Sequence, residues 1–238
     1  MGRAHEVRKV AMAKTAAVKS KVYAKFGIEI FVAAKNGTPD PETNQVLKRT
    51  IEKAKRAQVP ADVIKRAIEK AKGGSDESYT SIRYEGFGPG NSVLIVETLS
   101  DNVNRTVAEV RNCFTKTGGK LGISGSVLHQ FEHNAVLSTK ELTEEEVLEA
   151  LIENDVNGDI EEEDGLVTVY GDASDYYNIK TAILSKKTDL NFENDEIAWL
   201  PLVVVEVTNE EDQQKFDRLL DLLNDLDDVQ EIYHNAKF

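Results

Sequence analysis

The chain has 238 residues, 40% of them hydrophobic, and a net charge of −13; this length predicts two or three compact units, and its evenly spread apolar residues exclude a disordered polymer. The longest apolar stretch, LPLVVVEV at Leu200–Val207, is far short of the roughly 20 residues a bilayer requires. The opening MGRAHEVRKVAMAK is basic and holds no signal core, so a cytoplasmic address is expected, and the single cysteine, Cys113, excludes an internal disulfide or a cysteine metal cluster.

The charge is divided unevenly. Residues 1–74 hold 17 Lys and Arg against 7 Asp and Glu, a net of +10, which leaves 12 basic against 35 acidic residues, a net of −23, for the rest. A basic segment on an acidic body can hold a polyanion locally while the body repels it elsewhere. The alternative is a solvated lysine-rich helical surface with no partner.

In chain order, Val18, Val22, Phe26 and Ile30 recur every fourth residue beside Lys14, Lys21 and Lys25, which predicts a helix with an apolar and a basic stripe; Gly27 inside it allows a bend or close packing. NGTPDPET at Asn36–Thr43 breaks the pattern. A second helix is expected over Asn44–Gln58 with Leu47, Ile51 and Ala54 inward, and a third from Pro60 to Gly73-Gly74 with Ile64, Ala67, Ile68 and Ala71 inward. Strands are expected over Tyr79–Tyr84 and Ser92–Leu99, a helix over Asn102–Thr117 and a strand over Ser126–Phe131, with a turn at His133-Asn134. From Ala135 to Leu200 the order is βαββαβ, which suits a ferredoxin-like sandwich. A strand over Leu202–Val207, a helix over Asn209–Asn224 and a strand over Val229–Tyr233 complete the chain, and need an existing sheet to join. The expected fold is α+β: a helical basic domain over 1–78, a discontinuous α+β domain over 79–132 and 201–238, and an acidic ferredoxin-like domain over 133–200 inserted within it.

The stretch RYEGFGPGNS, Arg83–Ser92, invites a phosphate-loop reading, which fails. A dinucleotide or P-loop needs a helix N-terminus after the glycines, whereas SVLIVETL reads as a strand, and no Gly-Lys-Ser/Thr closes the loop. A kinase-type loop lies between strands, but His-Arg-Asp and Asp-Phe-Gly are absent. His129 and His133 are expected on a strand and a turn, too far apart for a metal pair. The run Glu161–Asp164 lacks the spacing of a calcium loop. With four histidines and no G-x-S-x-G, no nucleophile site is expected either. The sequence therefore predicts no catalysis, no metal, no cofactor and no small-molecule substrate.

GRAHEVRK, the block from KVYAKFGIEIF to IEKAKGG, RYEGFGPG and LSDNVNRT, in this order, resemble the YebC/PmpR family, which includes the mitochondrial translational activator of cytochrome oxidase. The similarity spans the chain and is densest over residues 1–131. It implies a cytoplasmic protein with a helical N-terminal domain and two α+β domains, one interrupted by the other. It also implies nucleic-acid binding without chemistry, described for the family as DNA-binding transcriptional regulation and also as ribosome-associated translation. Many relatives open with a Trp where this chain has Ala4-His5-Glu6-Val7.

Arg3, His5, Arg8, Lys9, Lys14, Lys19, Lys21 and Lys25 are the expected nucleic-acid contacts, giving affinity and salt dependence without sequence choice. No helix carries an Asn, Gln and Arg cluster for base edges, so shape-read RNA, including the ribosome, fits better than an operator; promoter DNA remains the alternative, and an adaptor docking through residues 135–200 a further one. A second contact group is expected where Tyr84, Glu85 and Phe87 meet Asn102, Asn104 and Arg105, with Ser100 or Asp101 capping the helix.

Overall fold

The computed structural model describes residues 16–238, and side chains from residue 19 onward. The described chain folds into two compact units: residues 16–126 with 208–232, and residues 127–207 with 233–238.

The first unit begins with α1, Ala16–Asn36, which runs unbroken through Gly27. The turn signal at Asn36–Thr43 ends it, and Asn44 ties it to the next helix. The Asn44 side-chain oxygen caps α2, Gln45–Arg56, by accepting from Leu47 N at 3.0 Å, while its amide donates to the Ala33 carbonyl at 2.9 Å and the Thr38 carbonyl at 2.8 Å. Pro60 precedes α3, Ala61–Lys72. Ile30 and Phe31 from α1, Leu47, Ile51 and Ala54 from α2, and Ile64 and Ala67 from α3 form one core, the face the periodicity predicts.

Beyond it, β1, Thr80–Phe87, pairs antiparallel with β2, Val93–Ser100. The helix α4, Val103–Lys116, comes next, then the two-residue β3, Lys120–Leu121. Near the C-terminus come α7, Glu210–Asn224, and β9, Val229–His234. The sheet has the order β3-β1-β2-β9. Phe114 of α4 packs against β1, where a Cβ at Gly86 would stand 2.4 Å from its ring. Phe216, Leu219 and Leu223 bury the inner face of α7.

The second unit carries β4, Phe131–Thr139, α5, Glu144–Glu153, β5, Asp159–Glu163, β6, Leu166–Asp172, α6, Tyr176–Lys186, and β7, Asn194–Pro201. The sheet order β5-β6-β4-β7, antiparallel throughout, is that of a ferredoxin-like sandwich. Leu137, Val167 and Val169 from the sheet meet Val147, Leu151, Ile179 and Ile183 from the helices. Thr143 and Glu146 close a capping box on α5. The last pairing is parallel, between β8, Val205–Glu206, and β10, Ala236–Lys237.

Four expectations are corrected. Ser126–Phe131 is not a strand: it holds a short 3-10 turn at Leu128–Gln130, and β4 begins at Phe131. His133 and Asn134 are not a turn but pair with Trp199 and Ala198 inside that strand, because cross-strand partners on β7 satisfy them. Leu202–Val207 is not a strand that joins the β1-β2 sheet. Pro201 ends β7, Leu202, Val203 and Val204 stand exposed, and only β9 from this segment enters that sheet. Finally, the first expected strand does not end at Tyr84 but runs on to Phe87, so half of RYEGFGPGNS, Arg83–Phe87, belongs to β1. The turn is confined to Gly88–Ser92, with Gly90 at φ 66° and Asn91 at φ 61°.

Candidate nucleic-acid interface

Of the expected N-terminal contacts, Arg3, His5, Arg8, Lys9 and Lys14 lie outside the described residues. Lys19 is exposed on the first turns of α1. Lys21 and Lys25 have a different occupation. The Lys21 ammonium donates to the Asp225 carboxylate at 2.7 Å and its carbonyl at 3.3 Å, and Lys25 donates to the Asn224 carbonyl at 3.1 Å. Both therefore sit at the C-terminus of α7, where the unpaired carbonyls and negative helix end favour cations. Burial lowers the pKa of Lys25, while Glu231, Asp227 and Asp225 work against that shift. Lys53 of α2 makes a further ion pair with Glu231 on β9. Burial raises the pKa of Glu29, and the charge of Lys53 opposes this.

Lys21 and Lys25 are thus fasteners between α1 and α7. Lys25→Ala is expected to lower stability by about 0.5–1 kcal/mol, the scale of a helix-end cation, measured by urea denaturation. Lys19→Ala, on an exposed side chain with no such bond among the described residues, should leave the midpoint unchanged.

The second expected group does not assemble. The β1-β2 register pairs Phe87 with Val93 and Thr80 with Ser100, so Asn102, Asn104 and Arg105 lie past the opposite end of the hairpin from Phe87. Seven residue steps at about 3.3 Å separate the two ends by roughly 23 Å. Phe87 is partly exposed near the turn. Glu85 is buried, and its carboxylate accepts from Gly125 N at 2.6 Å, which makes it an anchor for the turn at that glycine. Tyr84 is half-buried, and burial, then the charge of Asp228, raises its pKa.

At the other end, Asn102 is the cap of α4, accepting from Arg105 N at 3.1 Å, rather than Ser100 or Asp101. Ser100 instead accepts from Asn102 N at 2.9 Å, and Asp101 pairs with Arg105 at 2.8 Å. Arg105 also donates to both Asp228 oxygens, at 2.8 and 3.0 Å, and these hydrogen bonds raise its pKa further. Thr106 donates to the same carboxylate, and Leu99 N bonds the Asp228 carbonyl at 2.9 Å. LSDNVNRT therefore stitches the β2-α4 junction to the loop before β9. Asn102, Asn104 and Arg105 all remain exposed to solvent, Asn102 and Arg105 while holding these bonds.

The fold also gathers residues that no motif marked. Lys55 of α2 meets Lys65 and Lys72 of α3 around a cleft of about 370 Å³ beside Pro39, Asp40 and Ile68. The seven-residue spacing of Lys65 and Lys72 places both on one helix face, a signal legible in the sequence. Glu69 also lines this cleft and pairs with Lys65 at 3.8 Å, so its charge is mixed although lysines predominate. Among the described residues no group of three or more His, Cys, Asp or Glu is placed to hold a metal ion. His129 lies in the short 3-10 turn, and His133 stacks on Trp199 with ring centroids 4.2 Å apart. No described helix is long and apolar enough to cross a membrane.

Fold and surface together define an α+β protein with a lysine-rich helical layer and a ferredoxin-like unit. The model of the TACO1/YebC N-terminal domain matches residues 3–74, and that of the TACO1/YebC second and third domain matches residues 79–236. The chain belongs to the TACO1/YebC family. It is 56% identical to a probable transcriptional regulatory protein of Acholeplasma laidlawii, covering 99% of this chain and 98% of that one. It is 55% identical to a probable transcriptional regulatory protein of Alteromonas mediterranea, with the same coverage. The crystal structure of the conserved hypothetical protein Aq1575 from Aquifex aeolicus matches with a TM-score of 0.78 at 38% identity, over 96% of this chain and 94% of that one.

Proposed function

We propose that this chain regulates gene expression by binding RNA, in association with the ribosome, through the exposed lysines of its helical layer, and performs no chemistry. The observation that carries this reading is charge placement. Residues 1–74 are net +10 on a chain of net −13, and Lys19, Lys48, Lys55 and Lys72 point to solvent. Cations spread over three helices, without an Asn, Gln and Arg cluster on any of them, suit a folded backbone read by shape more than base edges in a groove. The names of the relatives favour a second reading, DNA-binding transcriptional regulation, which uses the same cations.

The test uses Lys19→Glu, Lys55→Glu and Lys72→Glu together, leaving Lys21 and Lys25 in place. Loss of about three phosphate contacts should flatten the slope of log affinity against log salt for RNA by about 2, with the melting temperature unchanged. Wild-type protein should co-sediment with ribosomes at low salt and the triple variant should not. A wild-type protein that ignores ribosomes but footprints discrete promoter sites through excess competitor DNA would instead establish the transcriptional reading.

A further inference from the structure

A second cleft, of about 440 Å³, opens between α1 and α3 and is of ligand size. Tyr23 and Phe31 line it one turn to either side of Gly27, Ala67 faces them from α3, and Tyr79 closes one end, edge-on to Phe31 at 6.0 Å. Arg66 and Lys70 stand on its rim, with the Lys70 ammonium 5.3 Å from the Phe31 ring centroid. Lys19, four residues before Tyr23, lies on the same face of α1.

Gly27 is the informative residue. Its backbone is helical and its φ is not positive, and a Cβ built on it would meet nothing within 4 Å. Neither conformation nor packing demands glycine there, and alanine would strengthen the helix. What glycine does is keep the cleft deep beside the Tyr23 ring, above the buried Phe31.

We propose that this cleft seats an unstacked base of single-stranded RNA, with the flanking phosphates at Arg66, Lys70 and Lys19. The half-buried rings of Tyr23 and Tyr79 offer the aromatic faces, above a floor formed by the buried Phe31; such faces take any base, and cations beside them track the backbone. The cations are available for exchange, because their present partners, Asp62 for Arg66 at 2.8 Å and Glu77 for Lys70 at 2.6 Å, make exposed ion pairs of the weak kind. This site rests on the RNA-binding reading above and gives it a location and a chemistry.

The probe is a fluorescent uridine oligonucleotide, intact or with abasic sites at its centre, titrated into the full chain. Gly27→Ala should melt no lower than wild type, and Gly27→Leu should weaken binding of the intact oligonucleotide by about tenfold, the scale of one stacked base. Wild type should bind the abasic oligonucleotide as weakly as Gly27→Leu binds the intact one. If Gly27→Ala and Gly27→Leu both bind the intact probe as wild type does, the base seat is wrong while RNA binding stands. If wild type binds no oligonucleotide at low salt, both fall together. A Gly27→Leu protein that keeps RNA but loses a protein partner would assign the cleft to a peptide, which also overturns the proposal.

Discussion

Asp195→Ala is expected to cost about 3–5 kcal/mol, the scale for removing one member of a buried ion pair. Asp195 is the second residue of β7, and its side chain is 3% exposed. One of its oxygens accepts from the Tyr176 hydroxyl and the other from the Lys180 ammonium at 2.9 Å. Tyr176 and Lys180 lie one turn apart on α6, so a single carboxylate fastens that helix to the sheet. Lys180 also lies 5.7 Å from the Phe192 ring centroid, which confines the ammonium further. Its side chain is only 17% exposed, so removing the carboxylate takes the charged partner from a mostly buried ammonium and the acceptor from the Tyr176 hydroxyl.

Urea denaturation monitored by the fluorescence of Trp199, the one tryptophan and also on β7, reports on this unit directly. Asp195→Asn should cost less, because a neutral acceptor for Tyr176 remains. Replacing Tyr176, Lys180 and Asp195 together by Phe, Met and Leu should recover most of the loss, since no buried charge is then left. A cost below about 1 kcal/mol for Asp195→Ala would mean that Lys180 reaches solvent unaided. Because the expected RNA contacts lie on the helical layer, Asp195→Ala also serves function: RNA affinity that survives it is the result expected if residues 135–200 carry no RNA contact.

The second large effect is a loss of stability in acid set by His234. Burial holds its pKa down at about 4, against an ordinary 6.5, and a hydrogen bond with the Ala236 backbone offsets only part of this. Proton uptake fixes the sign. Above pH 6.5 the ring is neutral in both states and adds no pH dependence. Below 6.5 the unfolded chain binds a proton that the folded chain refuses, so stability falls with pH until the folded ring protonates near pH 4. Over that window the difference amounts to about 3 kcal/mol. His234→Gln does not titrate, so between pH 7 and pH 5 wild type should lose about 2 kcal/mol more than the variant. Parallel stability curves for the two proteins would falsify the assignment.

Much of the fold was legible because local periodicity reports which side of an element meets a core. Leu47, Ile51 and Ala54 repeat with the turn of a helix, and they are buried on α2. The βαββαβ order of the ferredoxin-like unit could be read from alternation and Gly-bounded hairpins, which depend on neighbours in sequence. The candidate site was legible only as charge. Lysines at three- and four-residue spacing announce a basic helix, but spacing does not say what faces each lysine.

By itself, therefore, the sequence determined the α+β class, the positions of the helices, the concentration of cations in residues 1–74 and the family resemblance. Tertiary structure decided which of those cations are committed elsewhere. Lys21 and Lys25 are held by carbonyls and a carboxylate of α7, about 200 residues away in sequence, through non-local pairs that no local pattern encodes. It likewise decided that RYEGFGPG and LSDNVNRT, close in sequence, lie at opposite ends of a hairpin. There Gly86 makes room for Phe114 and Arg105 answers Asp228. The physical reason is the same in each case: an eight-residue strand is a rigid spacer, and a helix end presents its carbonyls to whatever the fold brings there.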